Sequence, residues 1–178
     1  MFLAHEQRHG VIEALAKGQW SDDPAVNTAI VDEILSMEAA LDQPLGVIEP
    51  LMPQINALMA GDDLNGISDR LLGYEGDNVW LQKARDGFAH GSKLAACWIF
   101  RQLNESANYS LKEVFDTELR LGANIMRHPE FAEGVRALLV DKDRQPKWQF
   151  ATVQDVPIDV LESFFAEPLG APNMHYPW

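Results

Sequence analysis

The stretch SLKEVFDTELRLGANIMRHPEFAEGVRALLVDKDRQPKW, Ser110 to Trp148, decides how the rest of the chain is read. Leu111, Val114, Phe115, Leu119, Leu121, Ile125 and Met126 recur at helical spacing. Ser110 stands before them as an N-cap, with Glu113 three residues on, which is the capping-box signature. His128-Pro129 interrupts the run. Pro fits the first turn of a new helix and turns the residue before it away from αR. Phe131, Val135, Leu138 and Leu139 then resume helical spacing, and the polar tail Asp141 to Trp148 closes the stretch.

Its second half also carries a family resemblance. Phe131, Glu133-Gly134-Val135-Arg136-Ala137, Asp141-Lys142-Asp143 and Pro146-Lys147-Trp148, preceded by ELRLGANIMRHP, resemble the C-terminal region of the crotonase (enoyl-CoA hydratase/isomerase) superfamily. The adjoining DKDRQPKW is most similar to the 3-hydroxyisobutyryl-CoA hydrolase branch. The resemblance covers Gly91 to Phe164 and is one of pattern over residues 1–90. It implies enzymes whose N-terminal β/α core polarises a thioester carbonyl with backbone amides and holds the catalytic carboxylates. No Gly-rich oxyanion loop and no spiral of strands can be read here. The expectation is therefore an all-α chain of about seven to nine helices, with little or no strand. It would be the C-terminal helical domain of a longer crotonase-like enzyme and inactive alone. Its implied partners are the N-terminal crotonase core of the same protein, the acyl-CoA substrate and a homo-oligomeric copy.

Composition agrees with a globular domain. The chain has 178 residues, 47% of them hydrophobic, enough for one core or two small lobes. No run approaches the ~20 apolar residues of a membrane span. MFLAHEQRHG places His, Glu and Arg where a signal peptide would be apolar. Cys97 is the only cysteine, which excludes an internal disulfide and suits a reducing, cytoplasmic setting. It lies in the apolar run Leu94 to Phe100 and reads as a small core residue. The net charge of −13 argues against nucleic acid, which requires a basic footprint. Residues 112–147 are neutral, with cations gathered at their end, so this window could meet an anionic ligand or simply be a helix pair with surface ion pairs.

Outward from this stretch the chain reads as helices. Residues 2–17 form the first, stopped by Gly18. Asp23 caps a second that starts at Pro24 and buries Ala25, Ile30, Val31, Ile34, Leu35 and Met37. Asp42 to Gly46 is a linker. A third spans Ile48–Met59, with Pro53 as a bend. Asp63 caps a short helix stopped by Gly73. Asp77 caps another ending near Gly87-Phe88. Ser92 caps Lys93–Leu103, the most apolar helix, expected to be buried on most sides. Phe150 to Val153 reads as extended, and Pro157 opens a last helix with Phe164 and Phe165. Pro168, Gly170 and Pro172 break the tail. The organisation is a helical lobe over 1–90 and the crotonase-type segment over 91–178, possible as one continuous domain.

Motifs for chemistry are few. His5-Glu6-Gln7-Arg8-His9 has the letters of HExxH, but no third zinc ligand follows at a useful spacing. Asp22/Asp23 and Asp62/Asp63 precede helices and read as caps. Asp141-Lys142-Asp143 fails as an EF-hand, because position six would be Pro146 and position twelve Thr152. No catalytic residue, no metal site and no cofactor is assigned, coenzyme A entering only as part of a substrate. Glu133-Gly134 reads as a close-packing point. What the resemblance implies is binding: Lys142, Arg144 and Lys147 toward the phosphates of coenzyme A, and Phe131 as a wall of the acyl or pantetheine channel. The whole protein would hydrolyse a thioester. The alternatives are a hydratase or isomerase of the same superfamily, and a free-standing helical interaction module whose partner meets the apolar faces of residues 24–59.

Overall fold

The computed structural model describes residues 5–37, 46–168 and 170. Among them are nine α-helices and no strand, as the apolar spacing predicts. By its internal contacts the chain divides into Met1–Pro53 and Gln54–Trp178, so the helices of residues 54–90 group with those of 91–178.

In the first unit, a 3-10 turn at His5–Gln7 leads into α1, Arg8–Lys17. Gly18 stops α1, its N–H bonded to the Leu15 carbonyl, yet its φ is −56°. The reason for glycine is contact: a Cβ there would lie 2.9 Å from the Trp20 indole. Asp23 caps α2, Pro24–Met37, accepting the Ala25 N–H at 2.9 Å. The expected buried stripe of α2 is only partial. Ile30, Val31, Ile34 and Leu35 are half-buried, whereas Ala25 and Met37 are exposed. Residues 42–45 of the expected linker lie outside the described residues, as do residues 2–4 of the first predicted helix and 171–178 of the tail.

The Ile48–Met59 helix is split. A 3-10 turn holds Pro50 at Glu49–Leu51, and α3 is Met52–Leu58. Pro53 thus sits in the first turn of α3, where its missing N–H costs nothing. The second unit continues with α4, Leu64–Leu72, capped by Asp63 through the Asn65 and Gly66 amides. Asn78, not Asp77, caps α5, and α5 runs through Gly87 to His90. Helix α6 is Lys93–Ser106, α7 is Leu111–Ile125 and α8 is Pro129–Val135. A single π-helical turn, Arg136–Val140, extends α8, and α9 is Ile158–Phe165. Phe150 to Val153 is not a strand. Thr152 and Asp155 form a capping box that winds Val153–Asp155 into a 3-10 turn.

The core of this unit is Leu94 of α6, Leu121 of α7 and Phe164 of α9, with Trp98, Ile125, Phe150, Val156, Val160 and Phe165 packed around them. Each of the three contributes about 1.5–3 kcal/mol by leaving water. Helix α6 is amphipathic rather than buried on most sides: Leu94 and Cys97 face inward, while Ile99 and Leu103 are exposed. Burial pushes the Cys97 thiol pKa up, as befits a core residue. Polar ties fix the angles between helices. Asn124 of α7 donates to the carbonyls of Phe164 and Ala166 and so ends α9. Arg101 of α6 pairs with Glu162 of α9 at 2.9 Å and stacks over the Phe165 ring. The α5–α6 corner is fastened by Lys93, whose buried ammonium donates to the carbonyls of Phe88, Ala89 and Gly91. These are carbonyls that the end of α5 leaves without helical partners.

Candidate functional site: an apolar groove and the turn beside it

Helices α5 to α9 enclose a groove of about 600 Å³. Leu94, Ala95, Trp98, Ile125, Phe131, Val135, Leu138, Leu139, Trp148 and Phe164 supply its apolar lining, and His90, Ser92, His128, Glu130 and Arg144 its polar groups. Most of the polar groups are satisfied within the protein. Ser92 caps α6 and donates to Glu130, which also accepts the Gln149 N–H at 2.8 Å. His128 caps α8, its Nδ1 accepting the Glu130 N–H, which leaves the proton of a neutral ring on Nε2. Its ring meets the Phe164 ring edge-on at 5.2 Å. The Trp148 indole donates to the His90 carbonyl at 2.7 Å. A groove so lined accepts an apolar chain, with a cation available at Arg144.

The turn after α8 is organised by Arg136. Its guanidinium grips Glu133 through two bonds, 2.8 and 2.9 Å, Asp141 at 2.6 Å, Asp143 at 2.7 Å and the Gln145 carbonyl at 3.2 Å. Glu133 also accepts the Lys147 N–H at 2.6 Å. Bonds from Arg136 first, and then from the Lys147 amide, hold the Glu133 carboxyl at about pKa 2. Arg136 likewise holds Asp143 below the usual carboxylate range. The backbone pays no attention to ordinary preference here: Lys142 and Arg144 both have φ of +56°. A left-handed non-glycine residue is strained by roughly 1 kcal/mol or more and persists only where its surroundings impose it. The Arg144 N–H closes the turn on the Ala137 carbonyl at 3.0 Å.

The four residues expected to meet coenzyme A are not gathered at one point. Phe131, half-exposed, and Arg144 line the groove. Lys147 lines a second depression with Glu133, Arg136 and Gln149, and Lys142 lines neither of the two. Among the described residues, Lys142, Arg144 and Lys147 make no ion pair. The carboxylates interleaved with them are taken by Arg136. Glu133-Gly134 is a packing point, though against a ring rather than a backbone: a Cβ on Gly134 would stand 3.2 Å from the Trp148 indole. Sequence reasoning assigned no role to Arg136, His128 or Trp148. The Glu133–Arg136 spacing, one helical turn, was the available signal. Asp141 and Asp143 lie beyond helical reach of Arg136 and meet it only because the turn doubles back. Among the described residues no three His, Cys, Asp or Glu side chains converge to hold a metal. His9 of the HExxH-like run instead pairs with Glu13 on the surface of α1. No helix of the described residues is long and apolar enough to cross a membrane.

The class these features define is an all-α unit carrying an apolar groove. Comparison with known proteins places it more closely. The enoyl-CoA hydratase/isomerase family matches residues 1–165, well beyond the Gly91–Phe164 span legible from the residues, and the chain belongs to this family. It is 41% identical over 85% of its length to the mitochondrial 3-hydroxyisobutyryl-CoA hydrolase of Mus musculus, covering 39% of that protein. To the Gallus gallus protein of the same name it is 32% identical over 75% of its length, covering 34%. Among solved structures, an enoyl-CoA hydratase from Rhodobacter sphaeroides is similar with a TM-score of 0.62 and 27% identity, over 82% of this chain and 43% of that one. The chain thus spans about a third of the length of the curated relatives it matches, and corresponds to their C-terminal part.

Proposed function

We propose that this chain is the acyl-CoA-covering helical part of a 3-hydroxyisobutyryl-CoA hydrolase-like enzyme. The observation that carries the reading is the groove: an apolar channel with Phe131 and Trp148 in its lining and the unpaired cation of Arg144 beside them. An acyl or pantetheine chain fits such a lining, and a coenzyme A phosphate fits the arginine. The names of the relatives support thioester hydrolysis as the reaction of the whole protein. Lys142 and Lys147, on the same turn, add positive potential toward the phosphates. Three consecutive exposed apolar residues, Leu138, Leu139 and Val140, supply a contact face for the N-terminal core or a second subunit. The single buried cysteine suits a reducing compartment. The relatives are named as mitochondrial, and fractionation of the source cells distinguishes that setting from the cytoplasm.

The test is thiol release from 3-hydroxyisobutyryl-CoA. The purified chain is expected to release no coenzyme A, and the same chain joined to its crotonase core is expected to do so. Turnover by the chain alone, abolished by one substitution within it, overturns the reading. A joined protein that yields hydrated or isomerised acyl-CoA instead of free coenzyme A moves it to the hydratase/isomerase branch.

A further inference from the structure

We infer that Arg136 is a positioning residue for phosphate recognition: it folds the turn after α8 so that Arg144, which lines the groove, and Lys142 on the same turn stay free of ion pairs. The inference rests on the coenzyme A reading above. It begins with an apparent waste. Residues 141–144 alternate acid and base at close range, a pattern open to neutralising itself in local ion pairs. Here it does not. Asp141, Asp143 and the preceding Glu133 all turn to the one guanidinium of Arg136, at 2.6 to 2.9 Å. Lys142 and Arg144 are left without carboxylate partners among the described residues, whereas Lys147 stays beside Glu133, to which its N–H donates.

The backbone serves the same sorting. The chain bends at the two bases, for Lys142 and Arg144 are the two non-glycine residues with positive φ among the described residues, and the bend brings Asp141 and Asp143 back to Arg136. The π-helical turn supplies the start of the bend, with Asp141 N–H bonded to the Arg136 carbonyl. Such turns recur at functional sites. Arg136 can be replaced in this task by no other side chain. Only its planar fork offers enough donors in one plane to hold three carboxylates and a carbonyl together. Its own charge is thereby covered, so it meets no ligand itself and acts through Arg144 and its neighbours.

The experiment titrates the full 178-residue chain with coenzyme A and, separately, with pantetheine, which lacks the phosphates, by isothermal calorimetry. Arg136→Met is expected to weaken coenzyme A binding about tenfold, the loss of a charge-assisted contact, and to leave pantetheine binding unchanged. Arg144→Ala is expected to do the same. Arg136→Met that binds both ligands like the wild type, while Arg144→Ala loses coenzyme A, overturns the positioning role alone. Equal loss of both ligands makes Arg136 merely structural and also overturns it. A wild-type chain that binds pantetheine and coenzyme A equally, or neither, overturns the underlying reading and this inference with it. Should Arg136→Met fail to fold, Asp143→Asn decides. It removes one of the three carboxylates held by the guanidinium and is expected to give a smaller loss confined to coenzyme A, whereas unchanged coenzyme A affinity overturns the inference.

Discussion

At the scale of single residues, two positions show how contact and conformation replace composition as the explanation. Gly134 sits in α8, where alanine would ordinarily be the better helix former. The Trp148 ring against it reverses that preference, because the indole is held by its bond to the His90 carbonyl and cannot withdraw freely. Gly134→Val is expected to cost about 1–3 kcal/mol by overpacking, measured by urea unfolding, with a shift in the Trp148 indole N–H resonance. Lys142 is the converse: an exposed residue whose side chain does little for the fold but whose backbone is left-handed. Lys142→Gly relieves the strain and enlarges the freedom of the unfolded chain, so its unfolding free energy should stay within about 0.5 kcal/mol of the wild type. Lys142→Val, with a branched Cβ at positive φ, should lose about 1–2 kcal/mol. A Gly variant as damaging as the Val variant would assign the effect to the lysine side chain instead.

At the scale of elements, helix starts were readable because a cap is a local event. Ser110 and Glu113 exchange the bonds their spacing announces, and Asp23, Asp63 and Ser92 cap as expected. Asn78 displaced Asp77 because the residue that caps is the one whose neighbour begins the helix, and either side chain can serve. The turn after α8 was opaque for the opposite reason. Its bonds join Arg136 to residues five and seven further on, and no periodicity marks such a pair. The clamp also has a pH signature. Glu133 has its pKa depressed from 4.5 to about 2, and Asp143 is depressed as well. Folding therefore gains from both groups above their unfolded values, and that gain is lost as pH falls from about 4.5 toward about 2. Acidification through this window should open the turn. Loss of amide protection at Lys147 and Arg144, relative to the intrinsic exchange rate at each pH, is the expected observation, with amides of α7 still protected until lower pH.

At the scale of the whole molecule, stability in the second unit rests on the Leu94–Leu121–Phe164 core, which brings the consecutive helices α6 and α7 together with α9, from much further along the chain. Leu121→Ala should cost about 2–5 kcal/mol, read as loss of near-UV circular dichroism at lower denaturant. A cost below about 1 kcal/mol would show that the core lies elsewhere. The sequence by itself determined the all-α class, most helix starts and the family, because apolar spacing, caps and the GVRA…DKDRQPKW run are carried by neighbours in the chain. It also showed where the cations gather. Only the tertiary structure decided which of them reach the groove, that α6 is buried on one face, and that three acids belong to Arg136. Those outcomes depend on packing between helices and on a turn bent by two left-handed residues. Neither leaves a periodic trace, since each is imposed by packing rather than by local preference.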